Sequence, residues 1–212
     1  MVKAIVFDFW GTLVDNGTYS PLRQTYNLLR ARMQFSEFVQ IFEKTVMTKP
    51  FDEQAKAFEE ACNSLGVPVK SFIIDKLIGL WNKNRMMAQL YPETPAVLQA
   101  LKDKKYKLYL VSNTDNLIQQ VIERFDLAKY FDGMFLSYET GLLKTDKELM
   151  ETILKKSKAK KEDILVVGDS VETDMLCAEN AGVKSVLVDR KGTREYKLKI
   201  SSLSEIDKIL EQ

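Results

Sequence analysis

Five short apolar segments constrain the fold of this chain more than anything else in it: residues 3–9, 107–112, 133–137, 164–168 and 185–189. Each is almost continuously hydrophobic, rich in β-branched or aromatic side chains, and shorter than an ordinary helix. A sheet with one wet face would alternate apolar and polar residues. Near-continuous runs instead fit parallel strands covered on both faces. Helical periodicity fills the gaps at 95–104, 116–125, 147–157 and 172–181, the last followed by Gly182 as a C′ residue. Strand–helix alternation from Pro92 onward predicts an α/β fold, a doubly wound parallel sheet.

The first strand is separated from the others by a stretch of different character. Residues 16–90 carry helical spacing and almost no strand signal: Leu22, Tyr26, Leu29 and Met33, then Phe38, Ile41, Phe42 and Thr45, then Ala55, Phe58 and Cys62. Pro50 and the run from Asn63 to Pro68 mark turns, helical spacing resumes from Phe72 to Met87, and Tyr91-Pro92 closes the stretch. The expected organisation is an α/β core of residues 1–15 and 91–212 with an inserted α-helical module, residues 16–90. The Lys-rich segment 155–161 reads as a solvated helix end.

With 212 residues, 45% hydrophobic and 29% charged, the chain can bury a substantial core without disulfides. Its 31 Lys+Arg balance 30 Asp+Glu, so no bulk charge points to nucleic acid or an anionic membrane as partner. No apolar run is long enough to span a bilayer, and the first eight residues lack a signal-peptide core, so a cytoplasmic location is expected. Cys62 and Cys177 stand alone, as reduced thiols would. Oligomeric state leaves no mark in the sequence. Histidine is absent altogether, which excludes Ser-His-Asp and Cys-His triads and His-ligated zinc. Proton transfer falls to Asp, Glu, Lys, Tyr or Cys.

Ligands of a doubly wound sheet bind outside the carboxyl ends of its strands. Those ends carry Asp8 and Thr12, then Ser112 and Asn113, then Asp169 and Ser170, with Lys144 in a connection. Acids, hydroxyls and a lysine at one rim make a plausible nucleophile, metal and oxyanion set. In order, Asp8-Phe9-Trp10-Gly11-Thr12-Leu13, Ser112-Asn113-Thr114, Lys144, and Gly168-Asp169-Ser170 with Asp174 resemble the four motifs of the haloacid dehalogenase superfamily, over roughly residues 2–190. The inserted module stands where that family places its cap.

The resemblance, strongest to the phosphatase branch, implies a hydrolase with Mg²⁺ as cofactor and a small-molecule phosphate ester as partner. Asp8 would attack phosphorus and form an aspartyl phosphate. Thr12, Ser112 and Lys144 would serve catalysis, and Ser112, Asn113 and Lys144 would bind substrate. Asp8, the backbone carbonyl of Trp10, Asp169 and Asp174 would form the metal site, with Asp174 acting through a metal-bound water.

Trp10 departs from the pattern. Phosphatases of the family carry an acid–base Asp there, and general acid–base catalysis is worth about 10²–10⁴-fold in rate. Haloacid dehalogenases often have an aromatic residue at that position, but they work without metal and lack the Gly-Asp pair of the fourth motif. Two alternatives therefore stay open: a dehalogenase acting on a haloacid, with Arg23, Arg30 or Arg32 as carboxylate-binding candidates, or a catalytically weakened phospho-ligand binder. A phosphonate-cleaving enzyme with Lys44 or Lys49 as Schiff base fits poorly with the bulk of Trp10. Lys144-Thr145-Asp146 also lacks the Pro that the family commonly has after the lysine.

Overall fold

The computed structural model describes residues 2–17 and 19–211. The chain begins with β1 (Ala4–Asp8) and a two-residue strand β2 (Val14–Asp15). Four helices follow, α1 (Pro21–Leu29), α2 (Phe35–Val46), α3 (Gln54–Ser64) and α4 (Ser71–Met87), and then a second two-residue strand, β3 (Gln89–Leu90). The remainder alternates through α5 (Thr94–Asp103), β4 (Lys107–Ser112), α6 (Ile118–Arg124), β5 (Gly133–Leu136), α7 (Ser137–Thr140) and α8 (Lys147–Ser157). It ends with β6 (Ile164–Gly168), α9 (Leu176–Ala181), β7 (Lys184–Val188), β8 (Lys199–Ile200) and α10 (Ile206–Leu210).

Strands β5-β4-β1-β6-β7-β8 form one six-stranded sheet, parallel at every pairing. This is the doubly wound α/β fold expected from the apolar runs. Every residue of β1 is buried. Ile5 and Phe7 point to one face, into a core with Leu98, Leu108, Leu110 and Val121, while Ala4 and Val6 point to the other, among Leu149, Ile153, Val166 and Ala178. That two-sided burial is why the strands read as continuous apolar segments. Strand order turns around at β1, with β4 on one side and β6 on the other, so the carboxyl ends of these three strands frame the crevice where such sheets bind ligands.

Helices α1–α4 pack round their own apolar core, in which Phe38, Phe42, Phe58, Leu77 and Trp81 are buried. The Trp81 ring stacks on Phe42 at 5.4 Å, and its indole Nε1–H donates to Thr25 Oγ1 at 2.9 Å. Helix α1 starts where Ser20 Oγ accepts from the Arg23 amide and Pro21 fills the first turn. Leu143, next to Lys144, also packs into this core, so the helical layer is seated on the loop that carries the lysine.

Three features differ from the sequence expectation. The helix expected over 172–181 opens as a π-helical turn, Val171–Met175, before α9. There Ser170 Oγ accepts from the Thr173 amide while Asp174 Oδ2 accepts from the Ser170 amide at 3.0 Å, and this local bonding competes with regular helix. Gly182 ends α9 at φ 68°, in the left-handed conformation foreseen for it. The antiparallel ribbon of β2 and β3, which pairs Val14 with Leu90, has no counterpart in the sequence reading, because two residues are too few to show a period. Strand β8 is likewise two residues long, and the five residues of α10 span little more than one helical turn.

Candidate active site

Asp8 closes β1 and is 5% exposed. Thr12 Oγ1 donates to its Oδ2 at 2.9 Å, and the Lys144 ammonium meets its Oδ1. The intervening turn depends on Gly11, which lies at φ 80° and whose backbone approaches the Asp169 carboxylate so closely that a Cβ would sit 2.5 Å from Oδ2. Thr12 is fully buried behind Asp8, so its hydroxyl orients the carboxylate instead of facing the cavity.

Lys144 also reaches Asp174 Oδ1 at 2.7 Å, while Arg194 Nη1 lies 3.2 Å from Asp169 Oδ2. Asp8, Asp169 and Asp174 each present an oxygen within 4.8 Å of the others. Three carboxylates so close, with one buried ammonium among them, leave uncompensated negative charge in a dry place. The acidities reflect this. Burial, followed by the neighbouring Asp174 and Asp169 charges, raises Asp8 far above the ordinary carboxylate range against the pull of Lys144. Asp169 is raised by burial and by Asp174. Burial works against the Lys144 charge, but the Asp174 and Asp8 carboxylates outweigh it and hold the amine above its usual value. The donor set, hard oxygens only, suits a small dication such as Mg²⁺.

Ser112, at the end of β4, is 2% exposed, and its Oγ has no hydrogen-bond partner. An orphaned hydroxyl at a cavity wall costs about 1–3 kcal/mol unless a ligand completes it. Asn113 lines the cavity and bonds at both ends of its amide: its Oδ1 accepts from the Lys144 amide at 2.9 Å and its Nδ2 donates to Glu43 Oε2 at 2.8 Å. The segment after β4 thus makes three links to the helical layer. These are Asn113 to Glu43, Asp115 to Arg85 in a buried ion pair at 3.1 Å, and the Asn116 amide to the Phe51 backbone.

Between the sheet ends and α1–α4 lies a cavity of about 960 Å³ whose walls include Asp8, Trp10, Ser112, Lys144 and Asp169. Trp10 sits at its edge, ring against Phe9 at 4.9 Å. Of the arginines considered as carboxylate-binding candidates, Arg23 lines the cavity and Arg30 and Arg32 do not; Arg23 lies over the Phe35 ring at 3.4 Å. Three functional groups had no clear mark in the sequence. Glu43 is one of two acids on α2, the other being Glu37, and Arg194 lies in an irregular segment. Arg190, two residues past the end of β7, donates to the Thr12 carbonyl at 2.9 Å and stacks on Tyr91 at 3.4 Å.

The order of these groups along one sheet edge matches a known pattern, and the family model for haloacid dehalogenase-like hydrolase fits residues 2–182. The chain belongs to this family. It is an enzyme of the hydrolase class, with phosphatases among its relatives. It is 26% identical over 199 residues to a glyceraldehyde 3-phosphate phosphatase of Methanothermobacter thermautotrophicus, covering 91% of this chain and 88% of that one. Its fold superposes on a HAD phosphatase from Thermococcus onnurineus with TM-score 0.67 at 22% identity, covering 99% and 98% of the two chains. A 2-haloacid dehalogenase from Pseudomonas syringae pv. Tomato DC3000 superposes at 0.68 with 20% identity, covering 100% and 99%. Among the described residues no helix is long and apolar enough to cross a membrane.

Proposed function

We propose that this enzyme is a Mg²⁺-dependent phosphatase of a small phosphorylated metabolite that works through an aspartyl phosphate on Asp8. The observation that carries the reading is the cluster of Asp8, Asp169 and Asp174, whose oxygens lie within 4.8 Å of one another around a single lysine. Asp8, Asp169, Asp174 and the Trp10 backbone carbonyl would hold the cation. When bound, Mg²⁺ neutralises charge on phosphoryl oxygens.

The chain's own residues do the rest. Thr12 fixes the rotamer of Asp8, so that Oδ1, the oxygen beside Lys144, is the one turned toward incoming phosphorus. Lys144 draws the phosphoryl group in and offsets the charge that builds on its oxygens. Ser112 completes its unused hydrogen bond on one of those oxygens. Asn113, through the Lys144 amide, holds the lysine loop at the right height. Residues 16–90 act as a cap that excludes water from the crevice, which suits an acyl phosphate that must last until its own water arrives. The family relationship to a glyceraldehyde 3-phosphate phosphatase supports a compact phosphorylated substrate. The cytoplasm is the compartment that suits two free, buried thiols. The dehalogenase alternative has Trp10 in its favour, yet it gives Asp169 and Asp174 no task.

The test is hydrolysis of 4-nitrophenyl phosphate by wild type and Asp8→Asn, with Mg²⁺ and with EDTA, beside halide release from 2-chloropropionate. Mg²⁺-dependent turnover that disappears in Asp8→Asn supports the reading. Halide release that ignores EDTA would replace it with the dehalogenase one.

A further inference from the structure

Cleavage of an unactivated phosphate ester leaves an alkoxide that needs a proton, and Trp10 has none to give. The acids round the cavity can be taken in turn. Asp8 is the nucleophile, Asp169 and Asp174 are held by Arg194 and Lys144, and Asp115 is tied to Arg85 and to the Leu117 amide. Asp146 accepts from the Leu143 amide at 2.8 Å, and Glu172 is exposed. Glu43 is left. Helix α2 turns Phe38, Phe42 and Val46 into the helical layer, which puts Ser36, Val39, Gln40 and Glu43 on the cavity wall. In-line attack by Asp8 sends the leaving oxygen away from the sheet, toward this wall.

We propose that Glu43 is the general acid and base of this enzyme, giving its proton to the leaving oxygen as the Asp8–phosphorus bond forms and the ester P–O bond breaks. The Glu43 carboxylate then takes a proton from the water that attacks phosphorus. That step releases phosphate and restores both Asp8 and the acid, so ester plus water gives alcohol plus phosphate with nothing left over. Geometry supports the role. Asn113 Nδ2 holds Oε2 at 2.8 Å, while Oε1 has no hydrogen-bond partner among the described residues. The same Asn113 anchors the Lys144 amide, so the acid and the phosphoryl-binding lysine are placed by one side chain. Burial raises the Glu43 pKa above its ordinary value, against the Asn113 hydrogen bond and the Lys144 charge, and so favours the protonated form that a donor needs.

The inference rests on the phosphatase reading, and a leaving-group series separates the two. Wild type and Glu43→Gln, which keeps an oxygen for Asn113 to bond, are assayed with Mg²⁺ on monoesters running from 4-nitrophenol to a simple alkanol. Wild-type kcat/KM should vary little along the series. Glu43→Gln should lose about 10²–10⁴-fold on the alkyl ester and at least tenfold less on the nitrophenyl ester, whose leaving group needs no proton. Glu43→Ala should follow the same slope. A uniform loss along the series would mean that Glu43 only braces Asn113, and no loss on the alkyl ester would mean that the proton comes from elsewhere; either result overturns the proposal. Silence of the wild type on every ester would refute the phosphatase reading, and the role of Glu43 with it.

Discussion

Replacing Gly168 with alanine tests how tightly fold and site are joined. Gly168 ends β6, and a Cβ built on it would overlap the side-chain carboxyl and the Cβ of Asp174. Ordinary carbon contacts need about 3.5–4.0 Å, so Asp174 would have to retreat by more than an ångström. It cannot do so freely. Its Oδ1 is held by Lys144 Nζ at 2.7 Å and its Oδ2 by the Ser170 amide at 3.0 Å, and the residue is 3% exposed. Breaking a buried ion pair by displacing one partner costs about 3–5 kcal/mol. For a chain of this size each kcal/mol lowers Tm by about 2–4 °C, so Gly168→Ala should melt roughly 6–20 °C below wild type. Denaturant and thermal unfolding measure the loss directly. In an Asp174→Gly background, where the obstructing atoms are gone, the same change should cost less than about 1 kcal/mol, which is a coupling energy a double-mutant cycle resolves. A Gly168→Ala protein within 1 kcal/mol of wild type would refute the reasoning.

Other expectations follow from single contacts. Thr25→Val strands the buried Trp81 indole N–H and should cost about 1–3 kcal/mol, with Thr25→Ser restoring most of it in the same melts. Asp8 and Asp169 have folded-state pKa values raised above the free value of 3.8. The metal-free folded chain therefore binds more protons than the unfolded one above that pH, and it loses stability as pH rises through the raised values. Mg²⁺ removes this penalty, so its thermal shift should be larger in mildly alkaline than in mildly acidic buffer; a shift independent of pH would contradict the carboxylate site. Burial pushes the Cys177 thiol up to about 11, and Cys62 is buried as well, so a thiol reagent at neutral pH should label neither until denaturant is added.

The sheet was readable because β1, β4 and β6 are buried on both faces, which confines charged residues to their ends and leaves their middles almost wholly apolar. The site residues at strand ends were readable for a related reason: each follows the last apolar residue of a strand, where the chain must turn. What the sequence hides is how those groups share their hydrogen bonds. Thr12 faces back onto Asp8, and Asn113 bridges Glu43 and the Lys144 amide. Both facts depend on side-chain directions fixed only by packing. Glu43 was illegible because it joins Asn113 across 70 positions of sequence, and the other acid of α2, Glu37, looks no different. The ribbon of β2 and β3 is set by a few bonds, such as the Thr94 hydroxyl to the Leu13 carbonyl at 3.0 Å, and tertiary contacts of that kind have no period.

The central claim is that phosphorus becomes bonded to Asp8, and trapping the intermediate tests it most directly. Enzyme mixed with Mg²⁺ and a phosphate monoester is quenched in acid within the first turnover, reduced with borohydride and digested, and the peptide that contains residue 8 is weighed. An acyl phosphate is reduced to the alcohol, so homoserine at position 8, absent without substrate, is the predicted result. Turnover with an unmodified Asp8 peptide, or with the label on another carboxylate, would contradict the account.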